Sequence, residues 1–296
     1  MWKLTTEQKS EVVRRHIDGE SPKVIAADFS VTYAAVYSIL RTRGLNRSNS
    51  EAQSVVAYDR KAFAANSPDA NYWTGFLMAD GAIVHRGTAA PTVALVLSDV
   101  DLTHIEKFRA FLHSGHKIVR VAPRMSGGYM NAGGWRLAIR SKDLASDLAL
   151  RGVVPNKTRI ASAGDLADNR DFWRGVIDGD GSFGVYRSGA LLRLVGSETI
   201  VTQFLDFARR HVPTSATVRP HRSIFGCAIC GPMAVKMLAV LYDGAATALD
   251  RKSNAAIEIR RRGNTSLLRA EGSGSGPVEA RTKAVREHGL NLALTG

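Results

Sequence analysis

Two ten-residue segments of this chain match each other across a separation of 100 residues. The first reads Tyr72-Trp73-Thr74-Gly75-Phe76-Leu77-Met78-Ala79-Asp80-Gly81, the second Phe172-Trp173-Arg174-Gly175-Val176-Ile177-Asp178-Gly179-Asp180-Gly181. An internal repeat constrains the architecture before any other signal, because both copies must fold as one kind of unit. The match continues downstream. Hydrophobic patterning predicts strands at Ile83–His85 and Val93–Leu97, against Phe183–Tyr186 and Leu191–Val195. A helix is expected near 103–113, against 199–211. Strands follow around Lys117–Val121 and Trp135–Ile139, against Thr217–Pro220 and Ile224–Ile229, then a second helix near 142–150, against 232–242. Each copy ends in a lysine and a hydroxyl residue, Lys157-Thr158 and Lys252-Ser253, which lie 77 and 72 residues beyond the respective aspartates. The expected class is α+β, two tandem αββαββα repeats.

Gly75 and Ala79 are four residues apart, as are Gly175 and Gly179. Residues at that spacing share a helix face, and small ones let two helices approach backbone to backbone. The two repeat helices are therefore expected to pack against each other, each ending at a glycine, Gly81 or Gly181, that can turn left-handed. That packing places Asp80 and Asp180 together at two helix C-termini, where partial negative charge and mutual repulsion oppose ionisation. A divalent cation would remove both penalties. Magnesium takes hard oxygen ligands, and the helix-end carbonyls of Ala79 and Gly179 could join the two carboxylates. Such a site suits metal-assisted phosphodiester hydrolysis.

The paired segments resemble the signature helix of the LAGLIDADG homing endonucleases in their single-chain, two-motif form, over about residues 69–258. Trp73 and Trp173 replace the leading leucine of the motif, Arg174 its small second residue, and Met78 the first acid of copy one. The last acid is kept in both copies. The resemblance implies a site-specific double-strand DNA endonuclease that uses Mg2+ or Mn2+, each aspartate serving one strand. It also implies a pseudo-twofold, saddle-shaped sheet in the major groove and cuts that leave short 3′ overhangs. Lys157 and Lys252 match the family's basic active-site residue and would orient water and neutralise phosphate charge. The catalytic set is then Asp80, Asp180, Lys157 and Lys252. Two other readings share the fold, a maturase that assists splicing of intron RNA and a DNA-binding regulator that has lost the acids. Retention of both aspartates argues against the regulator.

Charge points to the same partner. The chain has 40 Lys+Arg against 27 Asp+Glu, a net +13, and a pI near 10.1. A surplus of that size suits a polyanion. Alternating strand residues would present one side to DNA. The contact set is His85, Arg86, Arg124, Arg136, Arg140, Arg187, Arg193, Arg219, His221 and Arg222.

Ahead of the repeats, residues 5–43 read as three helices. Thr5 and Gln8 have capping-box spacing, and Gly19 is a stop. Pro22 opens the second helix, Ser30-Val31 makes a tight turn, and Thr32 caps the third. The run resembles a helix-turn-helix, with Ser30 where such modules often carry glycine. The third helix would then enter a major groove, with Tyr33, Tyr37 and Arg41 on its free face.

The expected division is a helix-turn-helix module over 1–45, a linker over 46–68 with a weak helix around Ala52–Tyr58, repeats over 69–160 and 161–262, and a flexible tail over 263–296. Two cysteines exclude a disulfide scaffold. Cys227 and Cys230 form a lone pair where zinc needs four ligands. No run approaches the ~20 apolar residues of a membrane span, and the first residues lack the apolar core of a signal peptide. A soluble, cytoplasmic monomer with internal pseudo-twofold symmetry is expected.

Overall fold

The computed structural model of the protein describes residues 4–18, 20–45, 56–126, 129–187 and 189–272. The N-terminal module has three helices, α1 (Thr6–Ile17), α2 (Pro22–Asp28) and α3 (Tyr33–Thr42). Both halves of the Thr5 capping box form: Gln8 N donates to Thr5 Oγ1 at 3.2 Å and Thr5 N to Gln8 Oε1 at 2.9 Å. Pro22 stands in the first turn of α2, where its missing N–H costs nothing. Thr32 caps α3 by accepting from Ala35 N at 3.3 Å. Val12, Ile25, Ala26, Val36 and Leu40 form a small core separate from that of the repeats. Between α2 and α3, Ser30 holds a left-handed φ of 52°, which explains why glycine suits this place. The stop expected at Gly19 lies outside the described residues.

The repeats run as expected in order and nearly in bounds. The first comprises α4 (Pro68–Ala79), β1 (Gly81–Val84), β2 (Thr92–Leu97), α5 (Leu102–Phe111), β3 (Val119–Val121), a short hairpin β4 (Arg124–Ser126) and β5 (Tyr129–Asn131), β6 (Gly134–Arg140) and α6 (Lys142–Leu150). The second comprises α7 (Arg170–Asp180), β7 (Gly181–Tyr186), β8 (Gly189–Gly196), α8 (Glu198–His211), β9 (Arg219–His221), β10 (Ile224–Cys230) and α9 (Gly231–Tyr242), followed by α10 (Asp250–Gly272). The two four-stranded antiparallel sheets share one topology, β1-β2-β6-β3 and β7-β8-β10-β9. The β4–β5 hairpin is an addition that patterning did not anticipate.

Each sheet turns one face to the helices. Ile83, Val93, Leu95, Leu137 and Ile139 are buried on the first, Leu192, Leu194 and Ile229 on the second. The core joins both repeats, and α4 against α7 forms its centre. Trp73 and Trp173, the departures from the motif's leucine, are both fully buried. Trp73 packs on Phe108 with ring centres 4.9 Å apart, and Trp173 on Phe204 at 5.4 Å. Each such side chain contributes roughly 1.5–3 kcal/mol by leaving water.

Three expectations need correction. The linker is shorter than 46–68: Phe63 is 1% exposed, and Asp59 N donates to Leu112 O at 2.8 Å. Residues 56–66 therefore belong to the first repeat, while the part of the weak helix at 52–55 lies outside the described residues. The tail does not begin at 263, since α10 continues to Gly272. Gly81 and Gly181 do not turn left-handed. Gly181 is extended at φ −83°, and each glycine opens a strand. Their missing Cβ matters for another reason: it would lie 2.5 Å from Leu77 Cδ2 in one case and 2.6 Å from Ile177 O in the other.

Glycine is required most at the helix pair. A Cβ on Gly75 would sit 2.0 Å from the Phe172 carbonyl oxygen, and one on Gly175 would sit 2.1 Å from that of Tyr72. Backbone atoms on both sides leave nothing that can yield. Gly75→Ala is expected to destabilise the protein by about 3 kcal/mol, the upper range of overpacking, although alanine favours helices. Urea unfolding of wild type and variant checks this, and equal midpoints would show that the helices separate freely.

Candidate active site

α4 and α7 pack along Gly75, Gly175 and Gly179 and end side by side. A Cβ added to Gly179 would lie 2.3 Å from Ala79 Cβ and 3.3 Å from Asp80 Oδ2, so the last turns of the two helices touch. Asp80 and Asp180 are the residues at these ends, and both carboxyl edges reach solvent. Their inner sides face dense protein. Burial raises the Asp180 carboxyl to about 6, and the neighbouring Asp80 adds to the rise. Burial likewise raises Asp80, opposed by Lys252 and Lys157. The crowded acid pair expected from the sequence is present.

The two lysines stand beneath the acids, but in different states. Lys157 donates to Gly81 O at 2.5 Å, from a short 3-10 turn opened by Asn156 in a left-handed conformation. Burial lowers its ammonium, while Asp180 and Asp80 hold it up. Lys252, in the first turn of α10, donates to Ile177 O at 2.6 Å and to Asp178 O and Gly181 O, each at 2.7 Å. All its N–H groups are thereby used on the end of α7. It is 8% exposed, and burial pushes the ammonium down to about 8. Both lysines thus neutralise helix C-termini. The carbonyls they take do not include those of Ala79 and Gly179. A narrow cleft of about 110 Å³ runs between Ala79, Lys157, Thr158 and Asp180, joining residues of both repeats.

A buried polar network that the sequence did not disclose lies behind Asp180. Asp178 is 1% exposed. Its carboxylate accepts from Tyr72 Oη at 2.7 Å, Tyr242 Oη at 2.6 Å and Leu249 N at 2.7 Å. Burial still raises it above the usual range. Tyr72 Oη also lies 2.9 Å from His104 Nε2, and since that hydroxyl donates to Asp178, the imidazole donates from Nε2. Burial pushes His104 down to about 3, which keeps it neutral. The motif's departure at Arg174 is explained alongside. Its guanidinium, 1% exposed, donates to Thr247 O at 2.7 Å and Leu241 O at 3.1 Å and pairs with Asp171 at 2.7 Å. In the first repeat Met78 stands where Asp178 does, so the network serves one end only.

The expected DNA contacts divide into groups. Arg136, Arg193, Arg219 and His221 are exposed on outward strand positions, and Arg140 is half-buried at the end of β6. His85, Arg86, Arg187 and Arg222 are exposed in turns at strand ends rather than on the strands. Arg124 begins β4, and its side chain lies outside the described residues. Tyr33, Tyr37 and Arg41 are exposed on α3, with the tyrosine rings stacked 5.8 Å apart. Cys227 is buried and Cys230 exposed, both free. Among the described residues no three His, Cys, Asp or Glu side chains converge as a metal site. Among them no single helix is long and apolar enough to cross a membrane.

No family model and no curated protein matches the chain. Solved structures similar to it include the homing endonuclease I-WcaI bound to its DNA recognition sequence, at 12% identity and a TM-score of 0.47, over 62% of this chain and 84% of that one. The LAGLIDADG meganuclease I-AabMI bound to uncleaved DNA is similar at 13% identity and a TM-score of 0.46, over 69% and 92%. Full-length DUF199/WhiA from Thermatoga maritima is similar at 12% identity and a TM-score of 0.40, over 72% of each chain. Likeness at this level extends to no function, which must come from the side chains themselves.

The lysine geometry sets one expectation. Replacing Lys252 by methionine removes three hydrogen bonds, to Ile177 O, Asp178 O and Gly181 O, of which Ile177 O still accepts from Gly181 N, whereas replacing Lys157 removes one. At roughly 1–3 kcal/mol for each unsatisfied buried group, offset by relief of a buried charge, Lys252→Met should lose about 2–4 kcal/mol and Lys157→Met about 1–2 kcal/mol. Urea unfolding checks the order of the two. A second expectation concerns pH. The Asp180 carboxyl lies near 6 when folded against an ordinary 3.8. Between these values the folded chain keeps a proton that the unfolded chain has released, so stability falls as pH rises through that window. Asp180→Asn should therefore melt above wild type at pH 7 in EDTA and lose that advantage at pH 4. Parallel melting curves across the range would show that the carboxyl is not held in this way.

Proposed function

We propose that the chain is a site-specific double-strand DNA endonuclease of the LAGLIDADG kind, hydrolysing one phosphodiester bond on each strand and leaving short 3′ overhangs. The observation that carries this reading is the pairing of Asp80 and Asp180 at two abutting helix ends, beneath which both lysines sit. A purely structural interface would gain nothing from two acids in a place that raises their protonation. A regulator that only binds DNA has no use for them either.

The donor set suits magnesium or manganese. Two carboxylates, with the carbonyls of Ala79 and Gly179 beside them, would supply hard oxygens on one side of a cation and leave the other side to water and phosphate oxygens. A divalent ion in such a place supplies Lewis acidity and lowers the pKa of bound water. The protein does the rest by position. Asp80 and Asp180 each belong to one repeat and so face one strand each. Lys157 uses one described bond on Gly81 O, so the rest of its ammonium can meet water or a phosphate oxygen in the cleft. Lys252 holds the end of α7 in register and places positive charge near both acids. The outward faces of the two sheets would follow the major groove, with Arg136, Arg193, Arg219 and His221 as contacts. The helix-turn-helix, through Tyr33, Tyr37 and Arg41, would add affinity from a tether without taking part in the chemistry.

Asp80→Asn and Asp180→Asn are each expected to abolish double-strand cleavage of a plasmid carrying the target while retaining DNA binding. The amide keeps the shape of the side chain but loses the charge that a hard cation needs. Single-turnover cleavage with magnesium, alongside mobility-shift binding without it, is the measurement. Wild-type cutting by either folded variant would remove that aspartate from the mechanism.

A further inference from the structure

We infer that the two sheets read chemically different half-sites, thymine methyl groups beside Asp80 and guanine beside Asp180. This rests on the DNA-cleaving reading above and concerns which bases it selects. In the first sheet Ala82, Ala94 and Ala138 pair across β1, β2 and β6 into one outward row. In the second, Ser182, Arg193 and Ala228 pair across β7, β8 and β10. The rows are equivalent, because Gly81 faces Leu95 as Gly181 faces Leu194. Ala94 and Arg193 therefore hold the same place in the two halves, each beside a residue two positions beyond an active-site aspartate.

A base edge meets different chemistry at the two rows. In the major groove guanine shows the acceptors O6 and N7, adenine and cytosine show N–H donors, and thymine shows a methyl group and O4. The alanine side chains have neither donor nor acceptor. The base feature that gains from contact with them is the thymine methyl, which leaves water against small apolar groups. The rows on either side extend this surface with Val84, 37% exposed, Val96, 45%, and Val119, 49%. Each of those rows also contains an arginine, Arg140 or Arg136. An apolar strip edged by cations, on a chain of net charge +13, suits a groove walled by phosphates better than an apolar protein partner. The second sheet has a cation in place of the central alanine of this row, with exposed Val185 and Tyr186 only at the far end of β7. Exposed Arg193 lines a groove of about 670 Å³ with Arg219 and His221, and a guanidinium pairs in a bidentate way with guanine O6 and N7.

The test uses the full chain in EDTA with a pool of duplexes randomised across the site. Enriched duplexes are remade with deoxyuridine for thymidine, one half at a time. T·A pairs should be enriched in one half and a fixed G·C pair in the other. Uracil should weaken binding about fourfold per contacted methyl, or ~0.8 kcal/mol, in the first half alone. Arg193→Ala should release the guanine preference, and Ala94→Arg should create one in the thymine half. Thermal melting of both variants verifies folding; both side chains face outward, so neither change disturbs the core. Binding indifferent to uracil, or both variants acting on the same half, would overturn the inference while leaving DNA cleavage standing. A pool that enriches no sequence would overturn the site-specific reading itself.

Discussion

The structure depends on two helices approaching until their backbones touch. Gly75 lies against the Phe172 carbonyl and Gly175 against that of Tyr72, with no side chain between them. This contact decides the distance between Asp80 and Asp180, and that distance decides whether they act as a pair. It also makes the core continuous from one repeat to the other, so the two sheets are held in one frame. The spacing of the two acids and the stability of the fold therefore draw on the same few glycines.

The halves share a topology but not an interior. Asp178, Tyr72, His104 and Tyr242 form a polar network on one side of the helix pair, where the other side has Met78. The ammonium of Lys252 is enclosed by carbonyls, whereas Lys157 is half-buried along a narrow cleft. Arg193 faces outward where Ala94 does. A duplication explains the common frame. Once both copies lie in one chain, each is free to specialise, as a symmetric pair of identical subunits is not.

The sequence discloses what is periodic. Spacing by 100 residues marks the repeat, spacing by four marks the helix contact, and the acids follow from both. Turn and cap chemistry at Thr5, Pro22 and Thr32 is local, and it reads correctly for the same reason. What stays hidden is distant. Tyr72 and Asp178 meet across 106 residues, and Arg151 reaches back 88 residues to bind Phe63 O. No local pattern marks such partners. Gly81 and Gly181 show a subtler limit: the residue type is legible, but whether it serves a left-handed turn or a close approach depends on what packs above it. The β4–β5 hairpin, the full length of α10 and the burial of Phe63 fall in stretches too short or too polar for periodicity to resolve.

The start of α10 has a consequence for how the protein comes into being. Asp250 pairs with Lys107 at 2.5 Å and Arg251 with Asp101 at 2.9 Å, so the start of α10 clasps the first repeat. Lys252, next in line, supplies the charge that α7 lacks. A ribosome delivers both acids, and the whole of each sheet, before it delivers this clasp. Until residue 252 emerges, the end of α7 has three carbonyls without their ammonium partner and the two halves lack their last bonds. The nascent chain thus has the paired ends of α4 and α7 before it has the charge that closes α7, and α10 supplies that charge only when both sheets have been made.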